Sequence, residues 1–147
     1  MSGAASVQLK GVLKRHGEMT VLHGIDLDMR PGEFFVLLGP SGSGKSTTLR
    51  ILAGLETVSG GHVLMDGQDV THLEPGARDV AMVFQSYALY PHMTVADNIG
   101  FPLKMVGTSA DEIVRQVGEA AARVNISHLL ERKPGQLSGG QQQRCAL

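Results

Sequence analysis

The sequence has few features that act through covalent links, charge or hydrophobic length. Its 147 residues include one cysteine, so an internal disulfide framework is excluded and a reducing compartment suits the chain. That residue, Cys145, stands between Arg144 and Ala146 in a helix-forming run and reads as a small buried apolar side chain rather than a reactive thiol. The net charge is −1, and the only adjacent basic pairs are Lys14-Arg15 and Arg132-Lys133, both read as solvated surface. Nothing here makes the electrostatic footprint that a nucleic acid or an anionic membrane attracts. The strongly apolar runs stop at five residues, at 34–38 and 80–84, whereas a spanning helix needs roughly 20. Residues 1–6 have neither the basic nor the apolar region of a signal peptide, so none is expected. There is no internal repeat or low-complexity segment. His23, His62, His72, His92 and His128 show no metal-ligand spacing.

What is present is organised by period and by turn chemistry. Residues 25–30 (IDLDMR) alternate apolar and polar, as a half-buried strand does, and Val7-Gln8-Leu9 has the same pattern and is its expected partner. After the turn Pro31-Gly32, residues 34–38 (FFVLL) lack alternation and predict a strand buried on both faces of a parallel sheet. Residues 80–84 predict a second such strand, ending at Gln85. A helix is predicted from Lys45, with Leu49, Leu52 and Ala53 on its inner face and Gly54 as its stop. Asp66-Gly67 marks a tight hairpin. Beyond Pro91 the pattern is helical, with Thr94/Asp97 and Ser109/Glu112 as capping pairs. Ile113, Val117, Ala121 and Val124 form one apolar stripe, and Pro134-Gly135 is a break. The expected domains are therefore 1–90, a β subdomain with part of a P-loop core, and 91–147, a helical subdomain.

The segment Gly39-Pro40-Ser41-Gly42-Ser43-Gly44-Lys45-Ser46-Thr47 fits G-x-x-x-x-G-K-[ST]. Glycines at 39, 42 and 44 let the backbone curl so that N–H groups converge on phosphates at the positive end of the next helix. Lys45 is the expected ligand of the β/γ-phosphates and the Ser46 hydroxyl of Mg2+. Alone, this loop specifies a nucleotide and no particular chemistry.

Two further stretches narrow it. Leu137-Ser138-Gly139-Gly140-Gln141, continuing Gln142-Gln143-Arg144, resembles the signature motif of ATP-binding cassette (ABC) ATPases. A serine hydroxyl and bare backbone N–H groups at a helix start suit the grip of a γ-phosphate. Residues 83–95 (VFQSYALYPHMTV) resemble the family's Q-loop, in which Gln85 touches both the Mg2+ site and the helical part. The resemblance covers essentially the whole chain. It implies an α/β P-loop NTPase fold of ABC type: an antiparallel β front, a partial parallel sheet core and a helical subdomain, here incomplete.

Residues 32–34, 87–94 and 100–104 (GFPLK) are similar to ATPase subunits of bacterial importers, closest to those for sugars, polyols or glycerol phosphate. Relatives for polyamines or ferric iron carry similar stretches. The resemblance implies ATP and Mg2+ as ligands, with His16 standing where the family usually places an aromatic residue against adenine. It implies a second ATPase subunit head to tail, so that Ser138, Gly139, Gly140 and Gln141 of one subunit meet the nucleotide on Lys45 of the other. It also implies transmembrane permease partners, no nucleic acid, and a peripheral place on the cytoplasmic side of the inner membrane.

The family's Walker B aspartate, catalytic glutamate, D-loop and switch histidine match nothing in 1–147, so no catalytic residue is expected in this chain. Glu33 and Glu56 match no family base, while Asp66, Asp69 and Asp79 read as turn, hairpin and surface groups. Weak ATP binding, negligible turnover and poor solubility are the expectations for a truncated fragment. Two alternatives stay open: a non-catalytic nucleotide-binding fragment, and a soluble ABC protein of translation or DNA repair. The importer-like stretch 87–104 and the lack of a basic surface weigh against the latter.

Overall fold

The computed structural model describes residues 4–147, which form two compact units, 4–82 and 83–147. In the first, β1 (Val7–His16) and β2 (Met19–Met29) form an antiparallel hairpin, with Val7 opposite Met29 and Leu9 opposite Leu27. This is the partnership the alternating pattern predicts. On its other edge β1 pairs antiparallel with β3 (Gly60–Met65), and β3 turns into the short β4 (Gln68–Asp69), giving the order β2-β1-β3-β4. Asp66 and Gly67 carry φ of +47° and +76°, the left-handed pair a two-residue hairpin requires.

One sheet face buries Leu9, Val12, Leu22 and Val63 together with Ile51 of α1 (Lys45–Leu52). Each such side chain contributes about 1.5–3 kcal/mol by leaving water. The helix buries Thr48 and Ile51, while Leu49, expected inside, is half exposed. The reason is the sheet's position, which selects the 48–51 side of the helix. Gly54 closes α1 with φ +75°, and a Cβ there would lie 2.7 Å from Arg78 Nε. The Arg78 guanidinium is buried over the helix end, donating to the carbonyls of Ile51 (2.8 Å), Leu52 (3.3 Å), Leu73 (2.9 Å) and Thr71 (3.1 Å). It thus satisfies carbonyls that a helix terminus leaves orphaned.

The two buried parallel strands are not found. Residues 34–38 make no ladder among the described residues, and Phe34 and Leu38 are 92% and 89% exposed. Residues 80–84 also lack a ladder, with Val80 and Val83 exposed. A strand buried on both faces needs hydrogen-bonded neighbours and covering layers, and neither segment has them among the described residues. The sheet that is present is antiparallel throughout.

The second unit is helical: α2 (Val95–Met105), α3 (Ala110–Arg123) and α4 (Gly139–Ala146), with short 3-10 turns at Ser127–Leu129 and Pro134–Gln136. Its core holds Val95, Ala121, Ile126, Leu129, Leu137 and Cys145. Cys145 is buried as expected, and burial pushes its thiol up. Thr94 caps α2, its Oγ1 accepting from the Asp97 N–H at 3.0 Å. Ser109 sits at the N-cap of α3, yet its side chain caps nothing. The Glu112 carboxylate that would complete that box is held one turn on by Arg115 and Gln116. Helices α2 and α3 approach closely at Gly100, where a Cβ would meet Ile113 Cγ2 at 3.0 Å and Val117 Cγ2 at 3.3 Å.

Candidate functional site

The 39–47 loop lies in the first unit and is a preformed turn on the start of α1. Ser43 N–H donates to the Pro40 carbonyl at 3.3 Å, closing the curl. Gly44 has φ +87°, and a Cβ there would come within 2.5 Å of Leu22 Cδ2. Position 44 must therefore be glycine on two counts, backbone and packing, and that glycine seats the loop on β2. The first α1 hydrogen bond is Thr48 N–H to the Gly44 carbonyl at 2.8 Å. Among the described residues the N–H groups of Lys45, Ser46 and Thr47 find no acceptor, so the positive end of the helix is open.

Lys45 curls over this opening. Its ammonium donates to the carbonyls of Gly39 (2.8 Å) and Pro40 (2.6 Å) and to Ser43 Oγ (3.2 Å). All three ammonium donors are thereby used within the loop, which holds the charge at its centre. Gly39, Pro40, Ser41, Gly42, Ser43 and Ser46 are exposed, and the Ser46 hydroxyl has no partner among the described residues. Free N–H groups, a centred ammonium and a free hydroxyl fit a polyphosphate with its Mg2+. His16, the last residue of β1, is exposed opposite Met19.

The remaining expected site residues lie in the second unit. Gln85 does not end a strand; it is exposed in a turn closed by Tyr87 N–H to the Phe84 carbonyl at 2.9 Å. Tyr87 and Ala88 follow with φ of +63° and +52°, a conformation costing non-glycine residues about 1 kcal/mol or more each. The Tyr87 hydroxyl lies 3.5 Å from where a Gly139 Cβ would be, which brings the Q-loop against the signature turn. There Ser138 and Gln141 form a reciprocal capping box. Ser138 Oγ accepts from Gln141 N–H at 3.4 Å, and Gln141 Oε1 accepts from Ser138 N–H at 2.9 Å. Gln141 is thus occupied in fixing the turn, leaving exposed Gly139 and Gly140 at the helix start.

Four carboxylates of the first unit, Glu33, Glu56, Asp66 and Asp69, have structural partners. Glu33 accepts from Arg30 N–H, Asp66 from Ser6 N–H, and Asp69 from Thr71. Glu56 pairs with Lys14 at 2.6 Å. Asp79 sits in a left-handed turn with φ +49°. No group of acidic, histidine or cysteine side chains among the described residues is arranged to hold a metal by itself.

Three residues carry structure that sequence reasoning missed. Lys14, read as solvated, is 6% exposed. Its signal is the step from buried Val12, two positions earlier on β1, but its partner is 42 residues away in the chain. Arg78 gave no local signal. Asn98 holds the 90–94 loop, accepting from Tyr90 N–H at 2.8 Å and donating to the Thr94 carbonyl at 2.8 Å.

Residues 22–147 match the ABC transporter family. The chain is 54% identical over 143 residues to the sn-glycerol-3-phosphate import ATP-binding protein UgpC 1 of Rhizobium johnstonii, covering 97% of this chain and 39% of that one. It is 59% identical over 124 residues to the diacetylchitobiose uptake system ATP-binding protein MsiK of Streptomyces coelicolor, covering 84% and 33%. The chain thus spans about two fifths or less of the length of these curated relatives. Among solved structures, the dimeric bacterial ABC transporter cassette MJ0796 superposes with a TM-score of 0.86 at 34% identity, covering 95% of this chain and 66% of that one. A second structure of that cassette, in a post-hydrolysis state bound to ADP and Pi, matches equally. With the family matched over residues 22–147 and relatives of this kind at more than half identity, the chain belongs to the ABC transporter family of ATP-binding cassettes.

Proposed function

We propose that this chain binds Mg-ATP through the 39–47 loop and forms part of the ATP-binding subunit of an importer for a carbohydrate or related solute. The observation that carries the reading is the Lys45 ammonium centred in a loop whose following helix start has free N–H groups. Lys45 and the N–H groups of 45–47 would hold the β/γ-phosphates, and Ser46 Oγ would take Mg2+. Bound Mg2+ would supply neutralisation of phosphate charge. His16 stacks on the adenine.

In a head-to-tail pair, Ser138, Gly139 and Gly140 of the partner subunit's copy of this turn close on the γ-phosphate, with Gln141 keeping the turn rigid. The importer reading is supported by the names of the relatives: glycerol phosphate import for UgpC, diacetylchitobiose uptake for MsiK. Transmembrane permease subunits are then the partners, and the cytoplasmic side of the inner membrane is the place. No helix among the described residues is long and apolar enough to cross a membrane.

Attack on the γ-phosphate needs a group that orients or deprotonates water. Glu33, Glu56, Asp66 and Asp69 are engaged as described above, and none of them is proposed as that group. Equilibrium binding of Mg-ATP tests the reading. Lys45→Ala is expected to weaken binding at least tenfold, and chelation of Mg2+ to weaken it in the intact chain. Equal binding by the intact chain and Lys45→Ala sinks the assignment.

A further inference from the structure

Lys14 has a position the phosphate loop does not explain. Its ammonium meets Glu56 at 2.6 Å, the Thr57 carbonyl at 2.6 Å and Thr57 Oγ1 at 3.4 Å. The backbone beside it is tied to the same segment: Ser59 N–H donates to the Leu13 carbonyl at 2.8 Å, and Arg15 N–H to Ser59 Oγ at 2.9 Å. Residues 13–15 of β1 and 56–59, just beyond α1, therefore form one cross-braced junction. Across the hairpin Lys14 pairs with Leu22, the same residue that Gly44 of the phosphate loop packs against.

His16 stands two residues further along β1, at the junction's rim. The Lys14 hydrogen bond, with a smaller contribution from His16, holds the Glu56 carboxyl below its usual range. An apolar side chain would fill the Lys14 position at lower desolvation cost. A buried ammonium paired with a half-buried carboxylate in its place makes sense where it fixes one geometry.

We propose that Lys14 is a positioning residue for the nucleotide. The Lys14–Glu56–Thr57 brace holds the end of β1, with His16, at a set separation from the phosphate-binding start of α1. Base and phosphates of one nucleotide are then engaged together. The inference rests on the ATP-binding reading above.

Its test compares Mg-ATP with Mg-tripolyphosphate, which has the phosphates and no base, on the same 147-residue chain. The intact chain prefers ATP. Lys14→Met loses about tenfold in ATP affinity, the low end of one base–aromatic stack, and keeps its tripolyphosphate affinity. Lys14→Arg retains most of the preference. Glu56→Gln keeps the shape of the junction, moves the ratio in the same direction as Lys14→Met, and stands in for it if circular dichroism finds that variant unfolded. An unchanged ratio, or an equal loss of both ligands, overturns the brace and leaves ATP binding standing. An intact chain that binds the two equally also overturns the brace. One that binds neither overturns both readings.

Discussion

At the residue scale the charges that matter are the ones the sequence hides. Arg78 lies in an ordinary polar stretch, yet it satisfies four carbonyls around the end of α1. Arg78→Ala leaves those acceptors buried and is expected to cost about 2–4 kcal/mol, read from urea unfolding. Asp69 is a second case. Its side-chain and backbone hydrogen bonds with Thr71, then that with His62, hold its carboxyl at about 2. A depressed carboxylate stabilises the fold above its unfolded value near 3.8, and that contribution is lost as pH falls through the folded value. Carbon-13 titration of the Asp69 carboxyl is expected to give a midpoint near 2, and Thr71→Val to move it up towards 3.8; a midpoint unmoved by the substitution removes Thr71 as the cause.

At the element scale, what was legible was local. The start of α1 at Lys45, the Asp66-Gly67 hairpin, the Thr94 cap and the Ser138 start of α4 each depend on residues within four positions of one another. The local form of the 39–47 loop and of the 138–141 turn was legible for the same reason. What failed depended on distant partners. An apolar run such as 34–38 has the composition of a buried strand whether or not neighbours are there to pair with it. Lys14 was misread because Glu56 lies 42 residues on, and Ser109 because Arg115 draws the Glu112 carboxylate away. The contact of α2 with α3 gives a prediction at this scale. Gly100→Val inserts methyl groups where Ile113 and Val117 already stand at 3.0–3.3 Å from a Cβ, and is expected to destabilise the helical unit by about 1–3 kcal/mol in thermal unfolding.

At the scale of the whole molecule, the loop proposed to hold ATP coexists with an apolar segment that is exposed among the described residues. Phe34 and Leu38, nearly fully exposed, precede that loop directly, and unpaired apolar segments of this kind seed association. Sedimentation is expected to show concentration-dependent self-association that Phe34→Lys with Leu38→Lys reduces; a monodisperse intact chain at high concentration contradicts this. The central proposal is that the chain holds ATP through Lys45 and does not turn it over. Equilibrium dialysis at low protein concentration against γ-labelled Mg-ATP, followed by separation of nucleotide from phosphate, addresses both halves at once. The expected result is label retained as intact ATP by the chain and lost in Lys45→Ala. Label not retained, or phosphate released in a Lys45-dependent manner, would contradict it.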